Sequence, residues 1–161
     1  MNRIIFFLAV AAQLAQMQNA WSQTSADKRQ RYASVGDFPL ENGQKIVDCK
    51  IGYRTFGKLN ATRSNTLIYL TPGGTTTYMM ELFGAATEVD TSKFYLILID
   101  ALGNGVSSSP SNSISQPKTS FPQFGIRDMV NTQYKMLTEN LNIHHLAAIV
   151  GGSVGGLQAL Q

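Results

Sequence analysis

Residues 146–160 read LAAIVGGSVGGLQAL, in which an apolar run leads into a glycine-rich turn and then into helix-forming residues. The run over residues 146–150 is continuously apolar, which is typical of a strand that is covered on both faces. Residues 157–160 favour a helix. This segment therefore predicts a buried strand, a sharp turn at residues 151–156 and a helix.

The turn contains the pattern G-x-S-x-G, with Ser153 between Gly151 and Gly155. A residue on a sharp strand-to-helix turn has a strained backbone, and side chains two positions away on either side would collide, so glycine is needed there. Ser153 is then a candidate nucleophile at the carboxyl end of its strand, and the backbone N–H of Val154 is a candidate donor to an oxyanion. The alternative is an ordinary glycine-rich turn. Nucleotide binding is not supported, because Leu157 stands where a phosphate-binding loop requires lysine.

Two further apolar runs, residues 66–70 and 94–99, also predict covered strands. Residues 47–53 alternate between apolar and polar, which predicts a strand with one buried face, best placed at a sheet edge. A short helix near residues 80–87 and a longer one over residues 126–141 separate these strands. Strands covered on both faces imply a mostly parallel sheet between helices. The predicted fold class is therefore α/β, with a mostly parallel sheet and helices on both faces.

Two loops are candidates for lining a site. Residues 102–123 are dense in Gly, Ser, Asn and Pro, and so long a loop in a compact domain is unusual unless it lines or caps a site. The backbone N–H groups of Gly73 and Gly74, at the end of the first central strand, are favoured as the remaining oxyanion donors. The alternative there is a plain strand-ending turn. Residues 75–77, three threonines, are read as solvated loop in preference to pocket wall.

The composition is that of one globular domain, with 161 residues, 43% hydrophobic and 14% charged. The net charge of +3 is thinly spread, so no patch that follows a nucleic-acid backbone is expected and nucleic-acid binding is not predicted. The single cysteine, Cys49, cannot close an intramolecular disulfide or build a cysteine-based zinc site. We expect it to be a buried thiol on a strand.

Residues 1–22 have the form of a secretory signal peptide. A positive charge precedes an apolar run over residues 4–12, and small residues stand at Ala20 and Ser22. The run is shorter than the roughly 20 residues that a membrane-spanning helix needs, although an uncleaved anchor is the alternative. Residues 23–37 are predicted to be a mobile leader and residues 38–161 the folded part. Export would make the protein secreted or periplasmic, with no membrane contact after signal cleavage.

Five blocks of sequence occur in an order that resembles a known family. The blocks are residues 38–43 (FPLENG), 53–60 (YRTFGKLN), 103–112 (GNGVSSSPSN), 126–130 (IRDMV) and 151–156 (GGSVGG). Over residues 38–161 the chain resembles the N-terminal portion of the α/β-hydrolase superfamily, in its homoserine O-acetyltransferase-like branch. The resemblance implies a nucleophile at Ser153, an oxyanion donor at Val154 and ping-pong acyl transfer through an acyl-enzyme.

The chain departs from that family in its catalytic acid and base. The family places Asp and His after the nucleophile in chain order, and eight residues follow Ser153. His144 and His145 precede Ser153 by one strand length, which puts them at the opposite end of the strand. The chain is therefore expected to be a fragment or truncated reading frame that lacks the triad Asp and His. A catalytically incomplete remnant, or a partner that supplies the missing groups, is the alternative.

Transferase and esterase activities both stay open, because the same turn can pass an acyl group to an alcohol or to water. The expected partners are small molecules, either an acyl donor with its acceptor or an ester. Acyl-CoA would be a co-substrate only of a transferase, and export favours a hydrolase because acetyl-CoA is cytosolic. No cofactor-binding or metal-binding residues are predicted, and the sequence does not indicate an oligomeric state.

Overall fold

The computed structural model describes residues 29–83 and 89–161 and shows a five-stranded sheet with helices packed against it. The strands are β1 (Arg31–Pro39), β2 (Lys45–Phe56), β3 (Thr66–Leu70), β4 (Tyr95–Ile99) and β5 (Ala148–Gly151). The helices are α1 (Thr76–Phe83), α2 (Ile126–Lys135) and α3 (Val154–Ala159). A 3₁₀ turn spans Lys118–Ser120, and a π-helical turn at Met136–Asn140 continues α2.

The strand order is β1-β2-β4-β3-β5. β1 pairs with β2, and β2 with β4, in antiparallel fashion, whereas β3 runs parallel to both β4 and β5. The carboxyl ends of β3, β4 and β5 therefore meet at one edge of the sheet. The connections that leave these three strands are brought together there.

Alternate side chains of the parallel strands enter two separate cores. Ile68 of β3 and Ile97 of β4 lie in a cluster that includes Met129 of α2 and, at its rim, Val154 of α3. Leu67 and Leu96, one position earlier, lie on the other face with Met80 of α1. Both faces of the sheet are thus covered by helices, as an unbroken apolar strand requires. The predicted α/β class is confirmed.

The alternating strand is central, which corrects its predicted place at an edge. β2 lies between β1 and β4. Its neighbour β1 includes residues 31–37, which were predicted to be a mobile leader and instead form most of a strand. Ala33 and Val35 face the core, whereas the register shifts around Gly36, where φ is +69°. This irregularity interrupts the alternation of buried and exposed residues, so the sequence of β1 lacks the regular pattern of a strand.

The last strand, β5, is less buried than predicted. It was predicted to be covered on both faces, but none of its four residues is buried, and within the described residues it pairs only with β3. Ile149 and Val150 are 46% and 39% exposed. The apolar composition of this strand is therefore not matched by burial within the described residues.

The helices agree with the sequence except at their ends. α1 begins four residues before the predicted segment 80–87, and residues 84–88 lie outside the described part of the chain. The predicted helix over residues 126–141 changes to π geometry at Met136, which is fully buried. Near the end of α2, Tyr134 is 67% exposed, whereas its neighbour Gln133 is buried.

Cys49 is buried in β2 as expected. Burial raises the pKa of its thiol to about 11, although a hydrogen bond with Ser108 acts in the opposite direction. The predicted signal peptide, residues 1–22, and residues 23–28 of the predicted leader lie outside the described residues. Among the helices of residues 29–83 and 89–161, none combines the length and apolar character needed to cross a bilayer.

Candidate active site

The predicted strand, turn and helix around Ser153 are present. β5 ends at Gly151 and α3 begins at Val154. Between them Ser153 has φ +51° and ψ −125°, a region that residues with a side chain rarely occupy. Ser153 is exposed, and its hydroxyl makes no hydrogen bond to any other described residue. The turn thus holds an accessible serine on a strained backbone at the carboxyl end of β5.

Two glycines permit this turn. A Cβ at Gly151 would strike the carbonyl of Gly155, and a Cβ at Gly155 would strike the carbonyl oxygen of Leu70 at the end of β3. The same atom would lie 3.0 Å from the carbonyl oxygen of Thr71. Gly155 therefore allows the first turn of α3 to rest directly on the end of β3, which brings Ser153 and the residues after β3 to the same edge of the sheet.

A buried glutamine pair fixes the first turn of α3 from the other side. Gln133 of α2 donates from Nε2 to Oε1 of Gln158 in α3 over 2.6 Å, and both side chains are buried. Gln158 in turn donates from Nε2 to the carbonyl of Val154 over 3.1 Å. Val154, the residue after the serine, is thus linked to α2 by hydrogen bonds through Gln158. This pair was not predicted, because two polar residues on separate helices show no pairing signal in one sequence.

Three backbone N–H groups predicted to hold an oxyanion lie at this edge. Val154 is the first residue of α3, so its N–H has no acceptor within that helix. Gly73 and Gly74 lie in the β3–α1 loop (residues 71–75), and neither N–H donates a hydrogen bond to another described residue. Gly73 has φ +104°, where a side chain would be strained. The structure places these donors beside the same strand ends as Ser153.

The threonines that follow are only partly solvated. Thr76 opens α1 and is fully buried, whereas Thr77 is exposed. Thr75 caps the helix by accepting a hydrogen bond from the N–H of Tyr78 over 3.2 Å. Thr76 was expected to be loop surface. It is instead bonded to Asp100, which directly follows β4, is fully buried and was not predicted to matter. Its position after a buried parallel strand is the signal that could have found it.

No histidine or carboxylate of the described residues hydrogen-bonds to the hydroxyl of Ser153. His144 and His145 are exposed in the connection that leads into the amino end of β5, as predicted, while Ser153 follows its carboxyl end. The Nε2 atom of His144 contacts Oδ1 of Asn142 at 2.9 Å. The described residues also contain no group of three or more His, Cys, Asp or Glu side chains that could hold a metal ion.

Comparison with known proteins agrees with this geometry. Residues 66–161 match the family model described as the alpha/beta hydrolase fold. A probable esterase of Corynebacterium glutamicum is 38% identical over 135 residues, which are 80% of this chain and 38% of that protein. An ethyl acetate hydrolase of Pseudomonas veronii is 36% identical over 133 residues, 80% of this chain and 38% of that protein. A homoserine O-acetyltransferase of Chlorobaculum parvum is 32% identical, covering 84% of this chain and 40% of that protein.

Solved structures share this fold over the matched part of their chains. The acetyl esterase MekB superposes with a TM-score of 0.75 at 34% identity, over 83% of this chain and 40% of that one. An acetylester hydrolase from Corynebacterium glutamicum gives 0.74 at 36% identity, over 81% and 38%. The chain thus spans about two fifths of the length of the relatives that it matches.

Proposed function

This chain belongs to the alpha/beta hydrolase fold family, and we propose that the protein carrying it hydrolyses esters through an acyl-enzyme formed on Ser153. The observation that carries the proposal is the backbone of Ser153, an accessible serine at φ +51° between a parallel strand and a helix. Strain of this kind places a hydroxyl where a substrate can reach it.

In the proposed reaction, Oγ of Ser153 attacks the ester carbonyl carbon and gives up its proton to a base. The new Oγ–C bond forms as the carbonyl oxygen becomes an oxyanion, which accepts hydrogen bonds from the N–H groups of Val154 and of Gly73 or Gly74. Collapse of this intermediate breaks the bond to the leaving alcohol, which takes up a proton. Water then attacks the acyl-enzyme by the same route and releases the acid.

No described residue hydrogen-bonds to Oγ of Ser153. In this fold the base and the acid that orients it follow the nucleophile in chain order. Because the chain spans about two fifths of the length of its relatives, the reaction is proposed for a full-length protein that supplies both groups.

Water is proposed as the acceptor on two grounds. The relatives at 38% and 36% identity are named as esterases or ester hydrolases, whereas a homoserine O-acetyltransferase is 32% identical. We also propose export, on the composition of residues 1–22, and an exported enzyme has no cytosolic acetyl-CoA to draw on. Acyl transfer to homoserine is the second candidate, supported by the five sequence blocks and by the homoserine O-acetyltransferase relative.

A fluorophosphonate probe and p-nitrophenyl acetate test the proposal. The full-length protein should be labelled and should release p-nitrophenol, and Ser153→Ala should abolish both. Ser120→Ala is the matched control, because Ser120 is an exposed serine in a 3₁₀ turn, bonded to the carbonyl of Pro117. Added homoserine should not change the rate. Acyl-homoserine formation would favour the transferase, and equal labelling of Ser153→Ala would refute a nucleophile at Ser153.

A further inference from the structure

Asp100 is a fully buried carboxylate at the carboxyl end of β4. Its Oδ1 accepts hydrogen bonds from the N–H of Thr76 at 2.8 Å and from Nδ2 of Asn104 at 3.0 Å. Its Oδ2 accepts from Nε2 of Gln30 at 2.9 Å and from Oγ1 of Thr76 at 3.0 Å. The donors come from three separate segments, so this one carboxylate joins the residue before β1, the start of α1 and the loop after β4.

The residues around Asp100 also hold the β3–α1 loop at three points. The N–H of Ala101 donates to Oγ1 of Thr71, at the start of the loop, over 3.3 Å. Asn104 donates from Nδ2 to the carbonyl of Gly74, in the middle, over 3.3 Å. Asp100 itself binds Thr76, immediately after the end. The segment 100–104 therefore bonds to the first residue of the loop, to Gly74 and to the residue that follows the loop.

We propose that Asp100 is a positioning residue for the oxyanion hole. By fixing Thr76 and, through Asn104, the carbonyl of Gly74, it holds the N–H groups of Gly73 and Gly74 toward the space in front of Ser153. The catalytic consequence of this role rests on the proposed function. The position of the loop does not, because it depends only on the hydrogen bonds of Asp100 and Asn104.

The donor pattern explains why a carboxylate stands here. Each oxygen of Asp100 receives two donors. The NH₂ group of an amide in its place would face the donors of Gln30 and of the Thr76 hydroxyl if it stood at Oδ2, or the N–H of Thr76 if it stood at Oδ1. A carboxylate is an acceptor at both oxygens and so matches all four. Its negative charge also lies at the N-terminus of α1, where the helix dipole favours it. The charge is thus part of what fixes the loop.

Asp100→Asn keeps the shape of the side chain but replaces one acceptor oxygen with an NH₂ donor. Its matched control is Asp128→Asn, because Asp128 is a second buried carboxylate at a helix N-terminus. Asp128 accepts from the N–H groups of Glu41 and Gly125, both at 2.9 Å, and has no bond to the β3–α1 loop. Each substitution alters a buried carboxylate that accepts a backbone N–H beside a helix N-terminus, and only Asp100 is bonded to the residues that hold the loop.

The rates are measured in the full-length protein with p-nitrophenyl acetate. Asp100→Asn should lower kcat by about 10- to 100-fold and change KM by less than about 3-fold. This is the result expected when the oxyanion donors move away from the oxygen that becomes charged in the transition state. Asp128→Asn should leave kcat within about 2-fold of the wild type. Thr76→Val, which removes one donor, should give a smaller loss, and Thr76→Ser should retain the rate. A kcat that falls equally in Asp100→Asn and Asp128→Asn would overturn the inference.

Amide hydrogen exchange gives a readout that needs no activity. Asp100→Asn should accelerate exchange by about 10-fold or more at the N–H of Thr76, which donates to Asp100, and at the N–H of Ala101, which donates to Thr71 in the loop. Asp128→Asn should do so at Gly125 and Glu41 instead. Unchanged exchange at Thr76 and Ala101 would also overturn the inference. If the wild type hydrolyses no more ester than Ser153→Ala, the proposed function fails, and the exchange measurement still decides whether Asp100 holds the loop.

Discussion

The substitution Gly155→Ala tests whether contact between α3 and the end of β3 sets the position of Ser153. The added methyl group would strike the carbonyl oxygen of Leu70 and approach that of Thr71 to 3.0 Å. Both atoms belong to backbone that cannot rotate away, so the start of α3 must retreat from β3. Gly152→Ala is the matched control, since a Cβ there meets nothing within 4 Å.

The expected magnitude follows from two opposed effects. Alanine inside a helix is favoured over glycine by about 1 kcal/mol. Forcing a methyl group into close-packed backbone costs about 1 to 3 kcal/mol, and a contact with carbonyl oxygens belongs at the upper end. We therefore expect Gly155→Ala to lower the free energy of unfolding by about 1 to 2 kcal/mol. A shift on the order of 1 Å at the serine would also slow acylation by about 100-fold.

Urea denaturation measures the first effect and the rate of fluorophosphonate labelling the second, both in the full-length protein. Gly152→Ala should be within about 0.5 kcal/mol of the wild type and should be labelled at a similar rate. Wild-type stability and labelling in Gly155→Ala would refute the packing argument. Equal damage from Gly152→Ala would show that the turn, and not its contact with β3, is the sensitive feature.

Three further outcomes are expected. Burial raises the pKa of Cys49 from 9.0 to about 11, so its thiolate fraction at pH 8 falls by about 100-fold and iodoacetamide should modify it only after unfolding. The free energy of unfolding should also fall as the pH rises from 9 toward 11. Rapid alkylation of the native protein would contradict this. In urea titration, Thr55→Val should leave the free energy of unfolding unchanged or raise it by up to about 1 kcal/mol, because Thr55 Oγ1 is buried with no partner among the described residues. Thr132→Val removes a 2.7 Å hydrogen bond to the carbonyl of Met129 and should lower the free energy of unfolding by about 1 kcal/mol. The 161-residue chain should self-associate in light scattering through its exposed β5 edge, and Ile149→Lys should reduce this while Lys118→Ala should not.

The sequence predicted the elements whose signal is local. The apolar runs at residues 66–70 and 94–99 became β3 and β4, and the glycine spacing around Ser153 became a tight turn, because each depends on neighbours along the chain. Its errors concern neighbours in space. That β2 lies between two strands depends on which strands pair, and the burial of β5 depends on what packs against its faces, and neither is recorded in the pattern of one strand.

The sequence predicted where the candidate site residues lie, while their catalytic roles stay predictions. Ser153, Val154, Gly73 and Gly74 were chosen from turn chemistry, and all lie after the carboxyl ends of neighbouring parallel strands. Asp100 and the pair Gln133 and Gln158 escaped prediction. Their partners are distant in sequence, and a polar residue that is satisfied by long-range hydrogen bonds looks like any surface residue until the fold is known.

The strand order also fixes the sequence of events as the polypeptide leaves the ribosome. β1 and β2 are joined by a short reverse turn and can zip together as soon as both have emerged. β5 must instead find β3 across residues 71–147, and such a long-range closure is slower than the pairing of β1 with β2. The hydroxyl of Ser153 is therefore set in its strained pose only after β3 and β5 have met, later than the first hairpin of the sheet.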